Sequence, residues 1–400
     1  MPGSENKTIT IGVPQETFPG EARVALIPDH IPPLVKAGMN VMIEKSTGTK
    51  AGFPDHKYTE KGASLAPSRE ELFKVSDVIL QIRGLGANPE NWKSDVAFYR
   101  RGQWLIGFFE PLAEPEEVAR LAPREVTAFS MELMPRITRA QSMDALSSMA
   151  TIAGYKAVLI AANTLPRMFP MSMTAAGTLT PAKVFVIGAG VAGLQAIAMA
   201  HRLGAMVKGY DIRPAVKEQV ESLGAKFVEL PLETSDSEDK GGYAKAMDEE
   251  FYRKQRALLA QAVADSHVVI TTALVPGKQS PILITKEMVE GMAPGSVIID
   301  LAAEKGGNCA LTQPDKTIVI NGVTIIGPVN IASSVPFHAS QMYSKNIVTF
   351  LQYLLKDGKL AIDPNDEIVR ETMVTRSGQI VNSRLRETLE KESASKSANG

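Results

Sequence analysis

Apolar residues along the chain gather in short runs, many of them β-branched, separated by segments of helix length. In the first third the runs fall at 8–13, 41–44, 78–83, 104–109 and 126–130, and a second series falls at 184–187, 206–211, 226–230, 268–272, 297–301 and 323–327. A strand with one wet face alternates apolar and polar residues, whereas a strand covered on both faces is apolar throughout. These runs are continuous, so they predict parallel strands beneath layers of helix. Two such series predict an α/β chain of two Rossmann-like doubly wound domains with mainly parallel sheets. No close self-similarity joins the two halves, so the repetition is one of architecture.

Long helices are expected to link the domains. The run 141–163 has no proline and one glycine, and is too long for an ordinary loop. A second run, 340–356, sets Met342, Ile347, Phe350, Leu351 and Leu354 at mixed helical spacings and carries the chain back toward the first domain. The expected division is therefore a discontinuous first domain, 1–145 plus 338–390, and a dinucleotide-binding domain, 146–337. Segment 367–381 reads as a hairpin turning at 376–379, and 391–400, small and polar, as a disordered tail.

The strongest chemical signal opens the second series. Val184 to Ile187 runs directly into Gly188, Ala189, Gly190, Val191, Ala192 and Gly193, after which Leu194, Ile197 and Ala198 follow helical spacing. Such a loop between strand and helix is the dinucleotide fingerprint: the first glycine permits a tight turn, the second admits a pyrophosphate, the third packs helix on strand. The helix N-terminus then faces the phosphates. Asp211 ends the next strand 18 positions after Gly193, near the usual interval of about 20. Its carboxylate is expected to accept from the ribose hydroxyls and to repel a 2′-phosphate, which favours NAD(H) over NADP(H). Ile212 and Arg213 follow it in the same site, and Arg213 argues the other way, toward phosphate.

Further candidates lie at strand ends. Thr271, Thr272, Ala273 and Leu274, then 275–277, are placed to line the nicotinamide ribose, and 300–308 ends the next strand equivalently; both also read as plain connecting loops. Around the start of the linking helix, Arg136, Gln141, Asp144 and Ser147 offer hydrogen-bonding groups. With a helix starting near Gln141, residues 141, 144 and 147 share a face, and Arg136 with Asp144 is able to hold a carboxamide or ribose. The plainer reading makes Asp144 a first-turn carboxylate complementing the helix dipole. After 226–230, the acidic stretch 231–240 followed by Gly241, Gly242 and Tyr243 reads either as a hinged lid tipped by Tyr243 or as a surface insertion.

Composition narrows the classes. With 43 Lys+Arg against 44 Asp+Glu and a formal charge of −1, the chain lacks the basic footprint that nucleic acid requires. A single cysteine, Cys309, makes neither an intrachain disulfide nor a thiolate zinc site, and no metal motif is present. The most apolar stretch, 150–162, is short for a membrane span and carries Lys156; residues 1–10 lack the apolar core of a signal peptide. Seven methionines (131, 134, 143, 149, 168, 171 and 173) crowd one stretch, as adaptable packing between domains or as simple core. None of His30, His56, His201, His267 and His338 stands in a catalytic motif. Alcohol or amine oxidation needs a positioned acid or base; hydride exchange between two nicotinamides does not, and positioning is then most of what the protein supplies.

Taken together, 136–148, Gly188–Gly193, 218–224, 241–247 and 271–277 resemble the NAD(H)-binding component, domain I, of proton-translocating NAD(P) transhydrogenases, and the likeness runs from Ile11 and Arg23 to the helix near Asn346. The resemblance implies a dimer of two-domain subunits that holds NAD(H) and exchanges hydride, Re/Si-specifically, with NADP(H) on a partner domain III, while a membrane-spanning partner couples exchange to proton movement. It assigns Arg136, Gln141, Asp144 and Ser147 to the nicotinamide end and Tyr243 to the lid. It implies a cytoplasmic chain held at the inner face of the membrane by its partners. Alanine dehydrogenase is similar in fold, in Gly188–Gly193, Arg23 and Gly306-Gly307, but its lysine, histidine and aspartate have no match at 81–83, 109–112 and 303–304, where Glu304 replaces the aspartate. An NAD(H)-sensing subunit without chemistry is the remaining alternative.

Overall fold

The computed structural model describes residues 8–89, 91–229, 249–274, 279–356 and 358–398. The chain divides into two compact units, Met1–Met149 with Ser333–Gly400, and Ala150–Ala332. Following the chain, the first unit opens with β1 (Thr10–Val13), β2 (Asn40–Ile43), β3 (Ser64–Leu65), β4 (Val78–Arg83), β5 (Trp104–Phe108) and β6 (Thr127–Ser130). These six are parallel, in the order β3-β2-β1-β4-β5-β6.

The second unit holds an isolated hairpin, β7 (Ser172–Thr174) and β8 (Gly177–Leu179), and then β9 (Lys183–Ile187), β10 (Met206–Tyr210), β11 (Lys226–Phe227), β12 (Val268–Thr271), β13 (Val297–Asp300), β14 (Thr317–Ile320) and β15 (Val323–Ile326). Its sheet runs β11-β10-β9-β12-β13-β15-β14, parallel except for β14. The chain then rejoins the first unit through the helix Pro336–Tyr353, a short ribbon of β16 (Leu355–Lys356) and β17 (Lys359–Leu360), and β18 (Met373–Arg376) with β19 (Gln379–Ile380), which add antiparallel to the β6 edge.

Each doubly wound sheet therefore turns back on itself beside its first strand, between β1 and β4 and between β9 and β12. Continuous apolar strands serve both faces of the second sheet. Val184, Val186, Val268 and Ile270 join one core cluster with Ala157, Val158, Ala161, Ala196 and Ile197, and the alternate residues Phe185, Ile187 and Val269 join another with Leu259 and Val263.

The linking helix spans Ala145–Thr164, four residues later than the sequence suggests. Residues Thr138–Met143 form a 3-10 turn instead, and the Asp144 carboxylate accepts the Ser147 backbone N–H at 2.8 Å, which starts the α-helix there. By length and composition this helix is apolar enough to span a bilayer, with a mean hydropathy of 1.4; Ala157, Val158 and Ala161 are fully buried in the second unit. Gly154 permits its close approach, since a Cβ there would lie 2.1 Å from the Ala192 carbonyl oxygen.

Other differences have local causes. Residues Glu367–Thr372, which read as a strand, form a helix because Asp366 caps the Ile368 and Val369 N–H groups, and only Met373–Arg376 enters the hairpin. Of the tail expected to be disordered, residues 391–398 continue the helix Ser383–Ala398, and the last two lie outside the described residues. The methionine cluster splits: Met131, Met134, Met143 and Met149 are buried, whereas Met168, Met171 and Met173 are 50%, 59% and 78% exposed. Gly242, Tyr243 and the expected lid lie outside the described residues.

Candidate functional site

The glycine loop sits at the carboxyl end of β9, beside the switch point of the second sheet, where doubly wound folds collect their ligands. Gly188 turns at φ +98°, and its N–H donates to the Tyr210 carbonyl at 2.8 Å. A Cβ at Gly193 would lie 1.8 Å from the Gly188 carbonyl oxygen, so only glycine allows the helix Val191–Arg202 to start this close to β9. Gly190, the residue before that helix, differs: a Cβ built there meets nothing within 4 Å. The second glycine therefore faces open space, with Val191 and Ala192 opening the helix behind it, and the leading N–H groups of a helix carry a partial positive charge.

Asp211 follows β10, 9% exposed. Its Oδ2 accepts from the Ala189 N–H at 2.7 Å, tying the acid to the glycine loop, and from Arg213 NH2 at 2.9 Å. Its Oδ1 accepts from the Arg213 backbone N–H and Nε, both at 2.9 Å. Ile212 between them packs against the core cluster under β9 and β12. Across the switch point, Thr272 donates through Oγ1 to the Gly188 carbonyl at 3.0 Å. Leu274, two residues on, is 44% exposed.

What fixes this second loop is not apparent in the sequence. Asn308 holds Ala273 from both sides, accepting its N–H at 3.0 Å and donating to its carbonyl at 2.9 Å, and also donates to the Pro281 carbonyl. Asn308 is held in turn by Asp300, fully buried at the end of β13. That carboxylate accepts from the Asn308 and Cys309 N–H groups, the Ala302 N–H and the Thr271 and Thr312 hydroxyls. Segment 300–308 reads in sequence as a strand-end loop; the five donors converging on one buried acid are visible only once the loop is folded.

The first unit holds the other group of candidates. Arg136 and Gln141 are exposed. Asp144 does not share a helical face with Gln141; it caps the helix, receiving the Ser147 N–H and hydroxyl. The structure thus brings Asp144 and Ser147 together and leaves Gln141 on the 3-10 turn. That turn is clamped from the C-terminal segment, where Arg139 reaches Tyr353 and Asp366 at 2.6 Å each and Asn346 donates to the Ser142 carbonyl. Against the desolvation of its site, hydrogen bonds from Tyr353 and Arg139 hold the Asp366 carboxyl down at about 2. Two of the histidines serve structure: His30 meets the Ser344 hydroxyl, and His267 Nδ1 accepts the Lys183 N–H at the start of β9. No cluster of three or more metal-ligating side chains occurs among the described residues.

Residues 12–153 match the model of the alanine dehydrogenase/PNT N-terminal domain, and residues 157–383 that of the C-terminal domain. The chain belongs to the alanine dehydrogenase/PNT family. Within that family it lies nearer the transhydrogenases. It is 46% identical over 378 residues to an NAD(P) transhydrogenase alpha-subunit protein of Rhodospirillum rubrum, covering 94% of this chain and 98% of that protein. A crystal structure of transhydrogenase from Sinorhizobium meliloti matches at TM-score 0.83 and 43% identity, over 93% of this chain and all of that one. An L-alanine dehydrogenase structure shares the fold at TM-score 0.80 but only 25% identity, over 96% of this chain and 99% of that one. The C-terminal family model extends past Ala332, so its last residues fold with the first unit of this protein.

Proposed function

We propose that this chain is the NAD(H)-binding component of a proton-translocating transhydrogenase, exchanging hydride with NADP(H) held by a partner subunit. The observation that carries the reading is the glycine loop: an open second glycine at a helix N-terminus, with an acid tied to the same loop. Those groups fit a dinucleotide. Gly188 to Gly193 would hold the pyrophosphate on backbone N–H groups, Asp211 the adenosine ribose, and Thr272 to Leu274 the nicotinamide ribose, which Asn308 keeps in place. Bound NAD(H) supplies the carbon that gives or takes hydride. No proton moves at that carbon, so the residues have only to orient the ring and exclude water. Arg136, Gln141, Asp144, Ser147, Gly242 and Tyr243 are assigned to the nicotinamide end and its lid by likeness to the family.

Two further elements belong to the same proposal. The chain pairs with a second copy, and the isolated hairpin of β7 and β8 supports this, since Met168, Met171, Met173 and Leu179 expose apolar surface around a ribbon too small to be stable alone in water. The paired subunits dock on membrane-spanning partners at the inner face of the cytoplasmic membrane.

Purified chain mixed with a transhydrogenase NADP(H)-binding domain should transfer hydride from NADH to an NADP analogue, followed by absorbance. Alanine-dependent reduction of NAD by the chain alone would instead place it with the amino-acid dehydrogenases. Inactivity in both assays would reduce it to a nucleotide sensor.

A further inference from the structure

Asp211 is saturated by its own chain. A carboxylate offers about four lone-pair sites, and here four donors take them: the Ala189 N–H, the Arg213 N–H, and the Nε and NH2 of the Arg213 guanidinium, at 2.7 to 2.9 Å. The two backbone bonds build the loop and are compatible with a bound dinucleotide. The two guanidinium bonds are not. Nε and NH2 reach one oxygen each, as a bidentate fork, and a ribose 2′,3′-diol donating to Asp211 needs one site on each of the same two oxygens. The pair is well shielded, its side chains 11% and 6% exposed.

We propose that Arg213 is a tethered competitor for the adenosine ribose, and that its displacement from Asp211 sets both the affinity for NAD(H) and the discrimination against NADP(H). The proposal rests on the reading of the glycine loop as an NAD(H) site. With Arg213 on Asp211, a diol finds no acceptor; with Arg213 swung aside, Asp211 is open to the diol while the released guanidinium stands beside the 2′ position. A 2′-phosphate at that point meets a cation suited to it. The same side chain therefore hinders the unphosphorylated dinucleotide and assists the phosphorylated one. Arg213 is a positioning residue here, acting on NAD(H) through Asp211.

Binding of NADH and NADPH, measured by calorimetric titration, tests this in the unaltered full-length protein and three variants. Arg213→Gln should bind NADH about tenfold more tightly, as expected when one charge-assisted competitor is removed, and NADPH about tenfold more weakly. Arg213→Lys, which keeps the charge without the fork, should retain NADPH binding while gaining NADH affinity. Asp211→Asn should weaken NADH, and a far-ultraviolet melt of each variant separates misfolding from altered binding. The ratio of the two affinities is the deciding readout, because a purely structural role moves both in the same direction. An unchanged ratio in Arg213→Gln, or weaker NADH binding, overturns the proposal while leaving the site assignment intact. Failure of the unaltered protein to bind NADH, or indifference to Asp211→Asn, overturns the site assignment and the proposal with it.

Discussion

Both units of this protein build the same crevice and treat it in opposite ways. In the first, the loop after β1 brings Glu16 across the switch point, where its carboxylate accepts the Ile82 N–H at 2.6 Å and the Arg83 N–H at 3.1 Å at the end of β4. Beside it Glu21 grips Arg23 through two bonds of 2.7 and 2.6 Å and lies 3.4 Å from Arg83, whose guanidinium stacks over Phe18. One strand further, Glu132 caps β5 by accepting the Phe109 and Glu110 N–H groups. In the second unit the loop after β9 places Gly190 there, with no side chain at all. In the first unit the acid just past the first strand reaches over to the neighbouring strand's N–H groups; in the second the position past the first strand is a bare glycine with open space before it, while Asp211 and Asn308 bond the Ala189 and Ala273 N–H groups beside it. The lesson is that a doubly wound sheet supplies a binding position, and the residues just past its first strand decide whether the protein fills it.

The largest effect that separates the units should come from Glu21→Ala. It removes the carboxylate that grips Arg23, whose side chain is only 4% exposed, and calorimetry should show a loss of about 3–5 kcal/mol. A loss under about 1 kcal/mol would mean that the charge cluster is not what closes this crevice. Next, Gly193→Ala in the second unit forces helix and strand apart. It should cost about 1–3 kcal/mol and weaken NADH binding as well, read by melt and titration together.

The first unit carries buried acids that make unfolding depend on pH. Burial, with Glu21 nearby, raises Glu16 from 4.5 to about 8, and burial near Glu110 raises Glu132 to about 7. Groups raised in the fold stabilise fully below their unfolded value, and the contribution is lost as pH climbs through 7 and 8. Glu21, held down to about 2 by Arg23 despite burial, does the reverse: its contribution is present above 4.5 and lost as pH falls toward 2. A chemical-denaturation series should therefore show stability falling as pH rises from about 5 to about 8, and Glu16→Gln should flatten that slope; an equal slope in the variant would remove Glu16 as its cause.

Smallest in stability, and sharpest for the comparison, is Gly190→Ala. With nothing within 4 Å of the new Cβ and φ at −76°, the melting free energy should stay within about 0.5 kcal/mol. NADH affinity should nonetheless fall, because the methyl group stands where the backbone must meet a pyrophosphate. Unchanged affinity would show that the open glycine is not the binding surface.

Much of the fold is legible in the chain itself. The main strands of both sheets are readable because parallel strands buried on both faces leave uninterrupted apolar runs, and the glycine loop because its spacing is itself a local geometric requirement. Other elements leave no such trace. Strand β3 has two residues, both exposed, and β14 alternates exposed and half-buried positions on an edge. The hairpin of β7 and β8 has strands of three residues each, nearly all of them exposed, and so shows no buried apolar run.

Sequence by itself determined the two α/β halves, the family and the turn of the glycine loop, since each is written in short local patterns of residues. Only the tertiary structure decided which polar groups are available to act. Asp144 caps a helix, Asp300 gathers five donors from three segments, Glu16 closes one crevice, and Arg213 occupies the acid expected to hold a ribose. A side chain's partners come from distant segments and from its own rotamer, and neither is written in the spacing of residues along the chain.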